Sequence, residues 1–189
     1  MAHQTIDNIS LVEKLLDVFR RYGYDNASLM QLSEATGLKK SSLYHRFPAG
    51  KDDMAKAVAE HTSAMLQQLI ITPLLDKQTS PTKRFSKMLE TLSVFYKDGQ
   101  ENCLFNVLTI SNIKTEIRDL LNADYVAWLD ALTKLAKETG LSAKVAKNRA
   151  EHFLIVIQGT LVIQRLTKNL KTFHNSLQYE QKQFFRTHQ

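Results

Sequence analysis

The sequence predicts an all-α protein, and three observations carry that expectation. Apolar residues recur at spacings of three and four along almost the whole chain, the period of an amphipathic helix. Glycine (6) and proline (3) are scarce in 189 residues, so breaks between helices are few and sharp. Two short helical segments are separated only by Gly37-Leu38, the spacing of a helix-turn-helix. The expected layout is an N-terminal three-helix unit, residues 1–50, followed by a larger helical region, residues 51–189.

The elements follow in order. A first helix is expected from Asp7 to Tyr22, with Ile9, Val12, Leu16 and Phe19 on one face and Glu13, Asp17 and Arg20 off it. Gly23 supplies its stop. Ser28 is a suitable N-cap for a second helix, Leu29 to Thr36, ended by Gly37. A third runs from Lys39 to Arg46, and Phe47-Pro48-Ala49-Gly50 breaks it. A long helix is expected from Lys51 to Ile71, with Met54, Val58, His61, Met65 and Leu69 as its stripe. Asp52 and Asp53 sit at its positive end. Ser80-Pro81 opens a further helix through cap and N1 proline. It buries Phe85, Met88, Leu92 and Phe95 and ends at Asp98-Gly99. A short helix at Leu104 to Ser111 precedes a longer one from Lys114 to Thr139, stopped by Gly140. Ser142 caps a strongly apolar helix to Lys168, and Phe173 to Phe185 forms the last.

Composition and spacing exclude several functions. With 43% hydrophobic and 23% charged residues the chain is neither disordered nor collagen-like. Its longest strongly apolar run, Phe153 to Ile157, is far short of the ~20 residues that span a bilayer. No signal-peptide pattern opens it, so the expectation is a cytoplasmic protein without a membrane partner. The single cysteine, Cys103, excludes an intramolecular disulfide and any multi-cysteine metal site. The six histidines form no H-x-x-x-H or H-E-x-x-H pair. Gly50-Lys51 is no phosphate loop, since His45 occupies the upstream glycine position and Asp52 the Ser/Thr position. No G-x-S-x-G occurs. No metal, cofactor or catalytic residue is expected, and the chain does not read as an enzyme.

Net charge is +6, which suits an anionic partner without choosing one. Its location is uneven: residues 134–189 hold ten basic and three acidic groups, whereas residues 1–50 hold six and five. Within the near-neutral N-terminal unit, however, Lys39 to Lys51 carries four basic groups and no acidic one. Lys39, Lys40, Ser41, Ser42, Tyr44, His45 and Arg46 cluster on the third helix, with Leu43 and Phe47 left for the core. Such a helix can enter the major groove of double-stranded DNA, where cations and hydroxyls meet phosphates and base edges.

The segment from Phe19 to Met54, FRRYGYDNASLMQLSEATGLKKSSLYHRFPAGKDDM, resembles the TetR-like (tetracycline-repressor type) transcriptional regulators. Gly23-Tyr24, Ser28-Leu29, Leu32, Glu34-Ala35, Gly37-Leu38, Leu43-Tyr44, Phe47 and Lys51 all fall in that family's order. Phe47-Pro48-Ala49-Gly50-Lys51 is similar to the F-P-x-G-K turn of the LmrA/YxaF-like subgroup. Three positions depart from the pattern. Ser33 stands for a usual Ala, Lys39 for a capping Ser or Thr, and Ala27 for a frequent Thr.

The resemblance implies a homodimeric repressor with helix-turn-helix domains on a palindromic operator. A small-molecule inducer in a variable C-terminal ligand-binding and dimerisation domain would release it. It implies phosphate contacts from Tyr44 and Lys51, with Ser28 at a helix start, and places Lys39, Lys40, Ser41, Ser42 and His45 nearest the bases. Met65, Phe95, Tyr96, Cys103, Phe105, Tyr125 and Trp128 are candidate pocket residues, although helical spacing equally makes them core. Cys103 reads either as a buried small hydrophobe or as an electrophile or redox sensor. Gly159 within a helical run points to a close approach. That approach is either a dimer interface with Phe153, Val156, Thr160 and Ile163 or a crossing within one chain.

Overall fold

A computed structural model describes residues 6–186, and among them all regular structure is helical. The helices are α1 (Asn8–Asn26), α2 (Leu29–Thr36), α3 (Lys40–Arg46), α4 (Lys51–Leu66), α5 (Thr72–Leu75), α6 (Pro81–Phe95), α7 (Leu104–Leu108), α8 (Thr115–Lys137), α9 (Ala143–Thr167) and α10 (Lys171–Gln183). A π turn, Gln67–Ile71, joins α4 to α5. No helix of the described residues is long and apolar enough to cross a membrane. The expected caps are present: the side chains of Ser28, Ser80 and Ser142 each accept a backbone N–H of their helix.

The chain forms two compact units, and their division differs from residues 1–50 and 51–189. The first unit reaches Ser63 and takes in Leu104–Leu121, while the second holds Ala64–Cys103 and the chain from Asn122 onward. The reason is burial. The first three helices, two of them of only 8 and 7 residues, offer too little apolar surface to close a core. Leu104, Leu108, Ile113 and Ile117 therefore pack into one cluster with Leu11, Leu15, Phe19, Leu32, Leu43, Met54 and Val58.

Two stripes are rotated from expectation. In α1 the buried side is Leu11, Leu15, Leu16, Val18, Phe19 and Arg20, and Ile9 is exposed. The helix meets neighbours on more than one side, so Arg20 is drawn in. In the long helix the stripe fails at Leu69, which is 43% exposed while Ile70 and Ile71 are buried. Pro73 lacks the N–H that would bond the Leu69 carbonyl, and its ring crowds that position. The helix relaxes to a π turn, in which the Thr72 N–H donates to the Gln67 carbonyl. The inserted residue shifts the buried face by one.

The second unit is built on aromatic packing. Phe85 stacks on Phe184 at 4.2 Å and meets Phe153 edge-on at 5.3 Å. Trp128 adds a further edge contact to Phe153. Buried Arg84 donates to the Leu74 carbonyl at 2.7 Å and pairs with Glu138, whose carboxyl that guanidinium holds below the usual range. Gly99, with φ +83°, lies where an added Cβ would come within 2.6 Å of the Phe173 Cβ and the Gln164 amide nitrogen. Gln164 donates to the Asp98 carbonyl at 2.7 Å and accepts from the Phe173 N–H at 2.8 Å. One side chain thus ties the loop after α6 to the start of α10.

Phe85→Ala removes the ring that meets both Phe153 and Phe184. It should cost about 3–5 kcal/mol, read as a lower midpoint in denaturant unfolding.

Candidate nucleic-acid interface

The geometry of the helix pair starts at the turn. Gly37 takes the left-handed conformation, φ 70°, that ends α2. The Ser33 hydroxyl donates to the Leu38 carbonyl at 2.5 Å. The Thr36 hydroxyl donates to the Leu32 carbonyl at 2.7 Å. Ser33 therefore stitches the turn from the α2 side, a contact that alanine could not make. Lys39 precedes α3 with no side-chain cap, as expected of a lysine. Ala27 is buried, so a methyl group faces the core there.

On α3 the fully buried residue is Leu43. Lys39, Lys40, Ser41, Tyr44 and His45 are exposed, and Ser42 is half-buried. Helical geometry thus turns one apolar residue inward and presents cations, hydroxyls and an imidazole outward. Arg46 is exposed too, but it is engaged within the fold. Its guanidinium donates to the Ile6 carbonyl at 3.3 Å and to the Asn8 side chain at 3.4 Å, tying the end of α3 to the start of α1.

Tyr44 and Lys51 lie on either side of Gly50 at the α3–α4 corner, with different partners. The Tyr44 ring covers Gly50, where an added Cβ would lie 3.2 Å from Cε1. Gly50 has φ +67° and leads directly into Lys51. The Ala49 N–H donates to the Asp53 carboxylate at 2.7 Å, fixing the corner. Lys51 Nζ donates to the Asp25 carbonyl at 3.2 Å and lies 4.6 Å from the Tyr24 ring centroid. Ser28 is exposed, but its hydroxyl donates to Gln31 Oε1 at 3.0 Å and accepts from the Gln31 N–H at 3.2 Å. It is chiefly a cap.

The main group that sequence reasoning missed is Asp52. It accepts from the Tyr24 hydroxyl and pairs with Lys114 Nζ at 3.2 Å. These donors, the tyrosine first, hold its carboxyl below the usual range against desolvation. Burial, and then the bond to Asp52, push the Tyr24 phenol well above its ordinary value. In sequence Asp52 offered only the helix-dipole signal, because its partners are remote along the chain.

The candidate pocket residues do not form one set. Phe105 packs against the core of the first unit. Tyr125 is exposed, Trp128 is buried and Met65 is half-buried in the second unit. Tyr96 and Cys103 are buried together there, the phenol donating to Sγ at 3.3 Å, and Phe95 meets Tyr96 edge-on at 5.0 Å. Cys103 is 4% exposed, so a reagent would reach it only if the surrounding segment opened. Among the described residues no group of three His, Cys, Asp or Glu could hold a metal ion.

The candidate interface residues divide likewise. Phe153 is core and Thr160 donates to Ser176 Oγ at 3.2 Å, so both face inward. Val156 lies between, half-buried. Gly159 and Ile163 face outward with Ile155, Val162 and Leu166, the last 76% exposed. A Cβ on Gly159 would have nothing within 4 Å, which removes the reading of a crossing within the chain. At 100° per residue the expected set straddled two faces of α9.

Comparison with known proteins agrees with this architecture. Residues 11–58 match the family model described as bacterial regulatory proteins, tetR family. The HTH-type transcriptional regulator LmrA of Bacillus subtilis (strain 168) is 25% identical over 165 residues, covering 83% of this chain and 87% of the relative. The HTH-type transcriptional regulator YxaF of the same organism is 20% identical, covering 80% and 81%. Both accord with the resemblance carried by Phe47 to Lys51. Among solved structures, a TetR transcriptional regulator from Legionella pneumophila superposes with a TM-score of 0.84 at 15% identity, covering 97% of this chain and all of the other. The TetR family regulator CifR, as a cysteine mutant complexed with 26bp double-strand operator DNA, superposes at 0.75 with 18% identity, covering 96% and 99%.

The lowered Asp52 carboxyl sets an acid dependence. A depressed carboxylate contributes stability that is present above its ordinary value near 3.8 and is lost as pH falls through the lowered one. Asp52→Asn should therefore be less stable than the parent at neutral pH, and the difference should shrink as pH falls below 3.8. Unfolding midpoints measured across that range check the sign.

Proposed function

We propose that this chain, a TetR-like DNA-binding transcriptional regulator, works as a homodimeric repressor of a palindromic operator, released when a small molecule binds its second unit. The outer face of α3 carries the reading: Leu43 is buried while Lys39, Lys40, Ser41, Tyr44 and His45 are exposed. Tyr44, whose ring packs on Gly50, and Lys51, the next residue along the chain, suit phosphate oxygens. Lys39, Lys40, Ser41, Ser42 and His45 suit base edges in the major groove. The operator complex of CifR supports the same use of the fold.

The outward row Ile155, Gly159, Val162, Ile163 and Leu166 supports a second copy as the partner. An apolar face on α9, in the second unit of a chain that carries a single helix-turn-helix, suits cover by two-fold pairing with a second copy. That symmetry also makes a palindromic site. For the inducer, the interior of the second unit holds, besides the Nε of Arg84, the buried atoms Trp128 Nε1 and Gln158 Oε1 with no hydrogen-bond partner among the described residues. Such groups are ordinarily satisfied. A neutral, largely apolar molecule with a hydrogen-bond acceptor and donor suits that interior.

Selection of binding sites from random DNA, followed by footprinting, tests the reading. A protected palindrome is expected, and binding without sequence preference would sink it. On the selected site, His45→Ala should change preference at one base pair by about 1–3 kcal/mol. Lys51→Ala should weaken all sequences alike and flatten the salt slope by about one unit.

For assembly, Leu166→Asp and Gly159→Leu should each raise the dimer dissociation constant at least about tenfold, a loss of about 1.4 kcal/mol. Sedimentation at low concentration reads this, and unchanged mass in both variants would rule out the outer α9 row as the interface.

A further inference from the structure

We propose that Tyr24 is a positioning residue for DNA binding: its ring face holds the Lys51 ammonium in place for a phosphate oxygen. The inference rests on the reading above that Lys51 meets the DNA backbone, and adds how the lysine is prepared for it.

Lys51 Nζ stands 4.6 Å from the Tyr24 ring centroid and donates to the Asp25 carbonyl at 3.2 Å. An ammonium has three N–H groups, so donors remain for a phosphate. The negative face of an aromatic ring attracts a cation without consuming a hydrogen. A lysine already confined in this way loses less side-chain freedom when it meets DNA than one swinging in water.

The ring itself is held on several sides. Tyr24 is buried and stacks on Phe19 with centroids 6.1 Å apart. Its hydroxyl donates to Asp52, the residue after Lys51, and the other Asp52 oxygen takes Lys114 Nζ at 3.2 Å. Consecutive residues at the start of α4 thus grip one ring, Lys51 at its face and Asp52 at its hydroxyl. Donation to a carboxylate pushes electron density into the phenol, which strengthens the pull on the cation above it. A tyrosine needed only to pack α1 against α4 would require the stacking on Phe19 but not the lysine.

The test is a salt titration of binding to a labelled duplex recovered from random DNA by the parent protein. Lys51→Ala should lower the slope of log K against log salt by about one unit. Tyr24→Leu should lower it by the same amount, and the double variant no further. Tyr24→Phe keeps the ring face and should keep the parent slope. A parent slope in Tyr24→Leu, with Lys51→Ala reduced, overturns the positioning role alone. A parent slope in Lys51→Ala overturns the phosphate assignment and this inference together. If Tyr24→Leu does not fold, the parent protein still decides. Ring current should move the Lys51 Cε protons upfield in its NMR spectrum, free and DNA-bound, and unshifted protons would refute the contact.

Discussion

A seven-residue helix cannot sustain itself in water, and the helix-turn-helix depends on that constraint. Helix nucleation is unfavourable, and isolated helices below about 12–15 residues are marginal. The α3 helix has seven residues and no side-chain cap. It persists because Leu43 is buried in a core that α1, α2, α4 and the segment Leu104–Leu121 build together. With its inward side committed to one leucine, the outward side is free to carry cations and hydroxyls. The function grows from this division of a very short element into two faces.

The same shortness explains why both ends of α3 are pinned from outside. At the entrance, Ser33 and Thr36 fix the turn by donating to nearby carbonyls. At the exit, Arg46 reaches the start of α1, and the Tyr44 ring closes over Gly50. Beyond it, Asp52 draws Tyr24 and Lys114 onto the first turn of α4. Lys114 comes from the late segment that also completes the core. That segment therefore contributes both apolar burial and a charge to the DNA-binding unit, although it lies far along the chain.

In the second unit, regular helices are interrupted where chemistry demands it. Pro73 converts a helical turn into a π turn and moves the buried face by one residue. Gly99 is required because Gln164 and Phe173 close over it. The charge excess of the last third also sharpens. Of its three carboxylates, Glu138 is committed to Arg84 and Glu180 is buried, where desolvation raises its pKa. At the surface Glu151 pairs with Lys147, and Asp130, just outside this third, with Lys134. The basic strip from Lys39 to Lys51 is separate from that excess.

Local chemistry was legible in the sequence alone. Period and punctuation placed the main helices within a few residues, since capping and helix-stop signals act between near neighbours: Ser28, Gly37, Ser80-Pro81, Ser142. The same signals exposed the helix-turn-helix and the residues on its outer face. Tertiary structure decided whatever depends on remote partners. It brought Leu104–Leu121 into the first unit, separated Phe105 from the other pocket candidates, turned Phe153 and Thr160 inward on α9, and made Asp52 a hub rather than a dipole partner. A 3.6-residue period says that a helix has two faces. It does not say which neighbour each face meets, because that is set by which distant apolar surfaces can be removed from water together.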